Sequence, residues 1–365
     1  MNTRLLVLIG AFLAGVLLAG CGGDNGDQPV LEKAAFEMQA IASSQNQWTG
    51  LAKAPDGRMF VNFPRWSDDV PISVGVLNDD GTVAPYPNDA WNAWEPGRSP
   101  TEHFVCVQAV FVDDAGFLWI LDPANPKFAG VVPGGPKLLK VDLATDSIIE
   151  TYSFDSTIAP PASYLNDVRI DTARNAAFIS ESGTGALVTV DLNNGNARRL
   201  LDEHYSTQAD DSLLLIIEGE EWRRPDGSLP QVHCDGIALS PNREYMYYQA
   251  LSAYDLYRIP VTSLLDTTLT EQQLADAVEF VASSGAADGI IFDRDGYLYL
   301  SALEQNAINR LTPMKVVQTV VQDDRISWPD TFTRGGPDTL YFTTARIHEG
   351  GSPDGPYQIF RLVKN

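Results

Sequence analysis

GIIFDRDGYLYLSA, residues 289–302, contains the pattern that decides the fold: a short apolar segment, a turn of Asp and Gly, and an aromatic segment. The Asp and Gly residues favour a tight hairpin turn, and the flanking residues are typical of half-buried or buried strands. The same pattern occurs six times in the chain. The copies span residues 50–63, 109–122, 167–181, 236–250, 289–302 and 330–345.

Each copy is followed by a third apolar segment, and some copies are followed by a fourth. Because no long amphipathic helix separates the copies, we predict an all-β fold, a six-bladed β-propeller with a central channel. Residues 34–42 precede the first copy and are predicted to pair with the strand at 357–364, which would close the ring.

Two segments depart from the repeat. Residues 201–232 form a long insertion, predicted to contain an extra hairpin that turns at Pro225-Asp226-Gly227. Residues 262–278 are predicted to be helical, with Thr270 and Gln273 as a capping box. Insertions between blades often cover a binding pocket, although a long structural connection is the competing interpretation.

The first residues of the chain resemble an export signal. Arg4 precedes an apolar run at 5–18, which is short for a membrane span. The run ends in Leu18-Ala19-Gly20-Cys21, which resembles the lipobox of bacterial lipoproteins; an ordinary secretory signal is the alternative. We therefore predict a signal peptide at 1–20, a flexible tether at 21–33 after a lipidated Cys21, and a propeller at 34–365. The expected location is the bacterial cell envelope, on the membrane through the lipid.

The charge balance limits the possible partners. The chain has 48 Asp and Glu against 25 Lys and Arg, a formal net charge of −23, which argues against binding to nucleic acid. It is compatible with a cationic or neutral small ligand, or with solubility alone. No Walker loop, dinucleotide fingerprint, HExxH or paired CxxC is present, so no nucleotide cofactor is expected. The protein is expected to be a monomer.

Aligning the copies on their first strands places six polar or turn residues at one end of the channel. These positions are Thr49, Gln108, Asn166, Asp235, Asp288 and Pro329. Trp48, Tyr164, His233 and Trp328 lie beside them in the sequence. We predict that a small-molecule ligand contacts Thr49, Gln108, Asn166, Asp235, Asp288 and Trp328.

Three local features at this end have two interpretations each. His233 and Asp235 are the candidates for catalysis, with His233 as a general base, but a lone His at a strand start is more often a satisfied polar residue. The Asp-Gly pairs at Asp235 and Asp288 could instead only support a turn. Cys106 and Cys234 could form a disulfide or remain two buried thiols.

Three runs of sequence resemble the major royal jelly protein and yellow family, and the resemblance covers residues 36–362. They are VHCDGIALSPNREYMYYQALSAYDLYRIPVTSLL (232–265), EGEEWRRPDGSLP (218–230) and VQAVFVDDAGFLWILD (107–122). This resemblance implies a six-bladed propeller, extracellular residence and small-molecule binding in the channel.

A more distant resemblance is to the sugar-lactone lactonases, propellers that hold a divalent metal, often Ca²⁺, in the channel. It implies that Asn166, Asp235 and Asp288 bind Ca²⁺ or another divalent cation, with Gln108 or water completing the shell. Thr49 stands where those enzymes have a Glu ligand. Three functions therefore stay open: a small-molecule binding propeller, a metal-dependent lactonase-like hydrolase and an interaction scaffold on the envelope.

Overall fold

The computed structural model describes residues 36–350 and 353–365. The described chain forms six four-stranded antiparallel sheets and one two-stranded hairpin. The first strands of neighbouring blades contact each other all the way round, including the sixth blade against the first. The protein is therefore a six-bladed β-propeller, as predicted. The signal peptide, the tether and Cys21 lie outside the described residues.

In the first five blades the four strands follow chain order from the channel outward, as do the first three strands of the sixth. Blades 1 to 3 contain β2 (Leu51–Lys53), β3 (Met59–Asn62), β4 (Val74–Leu77), β5 (Val83–Pro85), β6 (Ala109–Val112), β7 (Leu118–Asp122), β8 (Lys137–Asp142), β9 (Ser147–Ser153), β10 (Leu165–Asp171), β11 (Ala176–Glu181), β12 (Ala186–Asp191) and β13 (Ala197–Leu200). Blades 4 to 6 contain β16 (Cys234–Leu239), β17 (Tyr245–Ala250), β18 (Asp255–Pro260), β19 (Glu279–Ser283), β20 (Ile290–Phe292), β21 (Leu298–Ala302), β22 (Ala307–Leu311), β23 (Val317–Gln322), β24 (Pro329–Gly336), β25 (Thr339–Thr344) and β26 (Tyr357–Lys364).

The outer strand of the sixth blade comes from the N-terminal side of the propeller. Strand β1 (Phe36–Ser44) pairs antiparallel with β26, from Phe36 opposite Lys364 to Ser44 opposite Tyr357. The pairing predicted for residues 34–42 is therefore confirmed over the part of that segment that the structure describes. Because β1 covers the free edge of β26, the ring is closed by its two ends.

The insertion contains a hairpin, but its turn was predicted at the wrong place. Strands β14 (Ile216–Ile217) and β15 (Glu220–Glu221) are joined by Glu218 and Gly219, which have φ of 53° and 86°. Two residues with positive φ are what a two-residue hairpin turn requires, so this turn matches the twist of the strands. Pro225-Asp226-Gly227 lies in a separate turn, in which Arg224 N donates to Ser228 O at 2.9 Å.

The helices are short. They are α1 (Asp89–Asn92), α2 (Val261–Leu265) and α3 (Glu271–Asp276), with 3₁₀ turns at Pro100–Glu102, Pro126–Phe128, Leu303–Gln305 and Ile347–Glu349. The predicted capping box at Thr270 and Gln273 is present at the start of α3, although the segment 262–278 contains parts of two helices rather than one. Among the residues described, no helix is long and apolar enough to cross a membrane.

Candidate functional site

Irregular pairing at the channel ends of three first strands shapes the site. The register shifts between Leu165 and Val168 in β10, in β16 between Cys234 and Ile237, and in β24 after Pro329. A bulge interrupts the in–out alternation of a strand, so consecutive residues can both face the channel. Such irregularities are common beside functional sites.

Hydrogen bonds join the predicted channel residues of the first four blades. Thr49 Oγ1 donates to Gln108 O at 3.3 Å, and Gln108 Nε2 donates to Asn166 Oδ1 at 3.2 Å. Asn166 Nδ2 in turn donates to Asp235 Oδ2 at 2.8 Å. The fold thus brings together residues that lie up to 186 positions apart in the sequence (235 − 49).

Asp235 and Asp288 continue this chain into the fifth blade. Their carboxyl groups lie close enough to affect each other's pKa, and Trp328 Nε1 donates to Asp288 Oδ2 at 2.7 Å. Burial, reinforced by the Asp288 charge, raises the pKa of Asp235 well above its usual range. Burial also raises the pKa of Asp288. Because neighbouring carboxylates repel each other, protonation of the pair is favoured in the absence of a cation.

Two further carboxylates, Asp167 and Asp330, belong to the same cluster. Burial, followed by the neighbouring channel carboxylates, raises the pKa of Asp330, and burial raises that of Asp167. Asp330 Oδ2 is buried without a hydrogen-bond partner in the described structure. The only basic side chain that we find paired with these four acids, within the described residues, is Arg169, whose Nη2 lies 3.1 Å from Asp167 Oδ2.

Arg169 also crosses the channel. It is 8% exposed, and its Nη2 donates to Ile290 O in the fifth blade at 3.1 Å although Arg169 itself lies in the third. The guanidinium therefore stands across the channel beside the acids and leaves three of them, Asp235, Asp288 and Asp330, without a cationic partner. Neither Asp167, Asp330 nor Arg169 was in the predicted site.

Asp330 was missed because the sixth copy was aligned one residue too early. The sequence alignment puts Pro329 in the ring. The carboxylate whose negative charge helps to raise the pKa of Asp235 is instead that of the next residue, Asp330. The order Asp-x-apolar at Asp330 matches that at Asp235 and Asp288, and this signal could have found it. Asp167 follows Asn166 directly, so strict strand alternation would have turned it away from the channel.

The glycines after Asp235 and Asp288 serve packing between blades. A Cβ on Gly236 would collide with Asp288 O, and a Cβ on Gly289 would collide with Asp330 O. Neither glycine has a positive φ. The interpretation that these glycines are needed for a tight turn is therefore wrong. The absence of a side chain lets neighbouring first strands approach and brings their carboxylates together.

The channel acids differ from the structural acids of this protein. Glu181 Oε1 accepts from Tyr164 N at 2.8 Å and from Gly183 N at 2.7 Å, and its Oε2 is 2.6 Å from Arg199 Nη2. Across residues 36–350 and 353–365, no backbone N–H donates to the carboxylates of Asp235 or Asp288. The hydrogen bonds therefore do not support the alternative that these two acids only accept from backbone N–H groups of a loop.

The predicted aromatic wall is covered by protein. Trp48, Tyr164 and Trp328 are each at most 3% exposed. Tyr164 OH accepts from Trp66 Nε1 at 2.7 Å and donates to Gln108 Oε1 at 2.9 Å, which fixes the amide of Gln108. These rings pack the blades and orient polar groups, and the carboxylates remain as the chemically distinctive part of the channel.

The contacts of His233 and of the two cysteines indicate structural rather than catalytic roles. His233 Nδ1 accepts from Ala209 N in the insertion at 3.1 Å, and burial lowers the pKa of the imidazole. This is the satisfied polar role that was the alternative to a general base. Cys106 and Cys234 are free and buried, and burial raises the pKa of both thiols, which disfavours the reactive thiolate.

Fold and site together define a six-bladed propeller with an acidic channel. The chain belongs to the major royal jelly protein family, whose sequence profile matches residues 105–340. It is 24% identical over 309 residues to the protein yellow of Drosophila yakuba, covering 75% of this chain and 53% of that protein. It is also 24% identical over 271 residues to the protein yellow of Drosophila melanogaster, covering 69% of this chain and 48% of that protein. The chain thus spans about half the length of these relatives.

Solved propellers with little sequence similarity share the fold. A gluconolactonase from Xanthomonas campestris superimposes with a TM-score of 0.56 at 13% identity, covering 90% of each chain. A calcium-binding protein, regucalcin from Agrobacterium tumefaciens, gives a TM-score of 0.54 at 16% identity, covering 91% of this chain and 96% of that one. At these identities the likeness concerns architecture alone.

Proposed function

We propose that this protein is an exported, lipid-anchored propeller that binds a small, positively charged molecule in its central channel. The observation that carries the proposal is the cluster of four buried carboxylates, Asp167, Asp235, Asp288 and Asp330, with one paired guanidinium, that of Arg169. Burying charge is unfavourable unless it is paired. A cation that enters the channel competes with the protons that the raised pKa values favour on the three remaining acids.

A divalent cation is one ligand of this kind. Asp235, Asp288 and the unpartnered oxygen of Asp330 are hard oxygen donors, which Ca²⁺ accepts, and the Asn166 amide donates to the Asp235 carboxylate. The donor set therefore fits a hard cation. When bound, such an ion would supply charge compensation and a Lewis-acidic centre, while Trp328 and Asn166 orient the carboxylates.

A lactonase-like hydrolase is the weaker proposal. Thr49 occupies the first-blade position where that class has a carboxylate, and its hydroxyl is engaged with Gln108 O and with Asn62 Nδ2 at 3.0 Å. His233 is held by the insertion loop rather than by Asp235. We therefore place binding ahead of catalysis.

The test measures binding of Ca²⁺ and of small amines, from ethylamine to phenylethylamine, by calorimetry. The uncharged alcohols of the same size serve as matched ligands. We expect the cations to bind and the alcohols not to bind. Asp235→Asn combined with Asp288→Asn should weaken binding tenfold or more, because a hydrogen bond to a charged group contributes about 1.5–3 kcal/mol. Affinity should rise with pH, because the raised pKa values make protons compete with the cation.

Asp324→Asn is the matched control, since it removes one carboxylate from an exposed position that carries no side-chain hydrogen bond in the described structure. It should leave the affinity unchanged. Equal binding of amines and alcohols, or affinity unaltered in the double variant, would rule out the carboxylate cluster as the binding site. Metal-dependent turnover of a sugar lactone that requires Asp235 would favour the hydrolase.

The lipid anchor is tested separately. Growth with labelled palmitate should label the protein, because the residues Leu18-Ala19-Gly20-Cys21 resemble a lipobox. Cys21→Ser should abolish the label, whereas Cys106→Ser should retain it because Cys106 is buried in the propeller. Label that persists in Cys21→Ser would contradict the anchor and favour an ordinary secretory signal.

A further inference from the structure

A second group of ionisable side chains lies at the channel end marked by Trp328. Glu218 is in the turn of the insertion hairpin, and His348 and Glu349 are in the 3₁₀ turn after β25. One ligand atom from each of the three lies within 4.8 Å of the other two. The insertion and the sixth blade thus bring an imidazole and two carboxylates to one point.

The distances fit a small transition-metal ion. His348 Nε2 is 3.4 Å from Glu218 Oε2 and 3.7 Å from Glu349 Oε1. Ligands of a tetrahedral Zn²⁺, each about 2.0–2.2 Å from the metal, are separated by roughly 3.3–3.6 Å. An ion among these atoms would therefore require side-chain adjustment within the 4.8 Å that bounds all three separations.

The imidazole has no other partner. The His348 side chain is 9% exposed, and neither of its ring nitrogens makes a hydrogen bond within the described part of the chain. A buried polar group without a partner is costly, so it points to a ligand. The ring is held in place by stacking on Trp328, with centroids 5.7 Å apart and planes 9° apart.

Neighbouring groups orient both carboxylates. Arg346 Nη2 is 2.6 Å from Glu349 Oε1, and Asp354 N donates to Glu349 Oε2 at 2.6 Å. Asn306 Nδ2 donates to the other oxygen of Glu218, Oε1, at 3.2 Å, which leaves Oε2 directed at His348. Glu349 Oε1 also accepts from Ser327 Oγ, at the longer distance of 3.4 Å. A carboxylate oxygen has two lone pairs, so a metal would keep Arg346 on Oε1 and replace the Ser327 hydroxyl. Such outer partners are typical of metal sites.

We propose that Glu218, His348 and Glu349 form a site for a divalent transition metal of the Zn²⁺ class, separate from the carboxylate cluster of the channel. The nitrogen and oxygen donors suit Zn²⁺ or Co²⁺ better than Ca²⁺, which prefers oxygen alone. Three protein ligands leave at least one position for water or a ligand. The ion would also fasten the insertion hairpin to the sixth blade.

The test uses the purified full chain, stripped with a chelator and titrated with Co²⁺ and then Zn²⁺. We expect this site to bind one Co²⁺ with visible d–d absorption, displaced by Zn²⁺. His348→Gln and Glu218→Gln should each weaken Zn²⁺ binding by more than the roughly 10–100-fold that loss of an outer partner costs. His103→Gln is the matched control, because His103 is partly exposed and its Nδ1 contacts only Ser99 O, at 2.8 Å, in the described structure.

Circular dichroism of each variant shows whether it is folded, and Glu218→Gln supplies a second variant if His348→Gln does not fold. The double variant Asp235→Asn and Asp288→Asn should keep Zn²⁺ binding, which separates this site from the proposed function of the channel. Absence of Co²⁺ absorption, or binding that survives both His348→Gln and Glu218→Gln, would overturn the proposal. His348 would then be an imidazole placed between two carboxylates without a metal.

Discussion

Asp122→Ala is expected to lower the free energy of unfolding by about 3–5 kcal/mol. Asp122 is fully buried, and its carboxylate accepts from Val105 N at 2.7 Å and from Cys106 N at 2.9 Å. It also lies 2.8 Å from the ammonium of Lys137, which is 1% exposed. Removing the carboxylate leaves a buried cation and several backbone N–H groups without an acceptor, and each loss is unfavourable.

Urea unfolding followed by tryptophan fluorescence measures this effect, since Trp119 is buried in the same blade. Asp324→Ala is the control and should change stability by less than about 0.5 kcal/mol, as exposed substitutions usually do. Lys137→Met should cost less than Asp122→Ala, because Asp122 keeps its backbone donors. A change below about 1 kcal/mol for Asp122→Ala would show that the loop before β6 does not depend on this carboxylate.

The blades were predictable because their determinants are local. Hairpin turns and strand alternation are set by neighbouring residues, so a segment such as 289–302 predicts its own strands, β20 and β21. The pairing of β1 with β26 followed from a different argument, the need to cover a free sheet edge. The insertion hairpin was misplaced because Pro-Asp-Gly is a strong turn sequence, whereas Glu218-Gly219 requires a positive φ at a glutamate.

The site was predicted only in part because it depends on relations between blades. Asn166, Asp235 and Asp288 were found from their common place in the repeat. Asp330 was lost to the one-residue misalignment of the sixth copy, whereas Asp167 required knowledge of the register shift in β10. The cluster of Glu218, His348 and Glu349 joins an insertion to a distant loop, and no repeat pattern relates them.

Deletion of strand β1 is expected to have the largest effect of all. Eight of its nine residues pair with β26, with a bulge at Ile41, and Phe36 packs edge-on against Tyr299 of the fifth blade with ring centroids 6.3 Å apart. Without β1, the backbone groups of β26 lose their partners and the apolar face of the sixth blade is uncovered. An exposed strand edge is also a template for aggregation.

The measurement compares a chain that starts at residue 35 with one that starts at residue 46. We expect the first to melt like the full protein, and the second to be insoluble or to melt about 10 °C lower or more, because several kcal/mol of pairing and packing are lost.

A synthetic peptide of residues 35–45 should restore the melting temperature of the shorter chain by adding the missing strand. A peptide with the same composition in scrambled order is the control, since it cannot reproduce the register from Phe36 to Ser44. If both chains melt at the same temperature without peptide, the first five blades and the three remaining strands of the sixth hold the ring closed without β1.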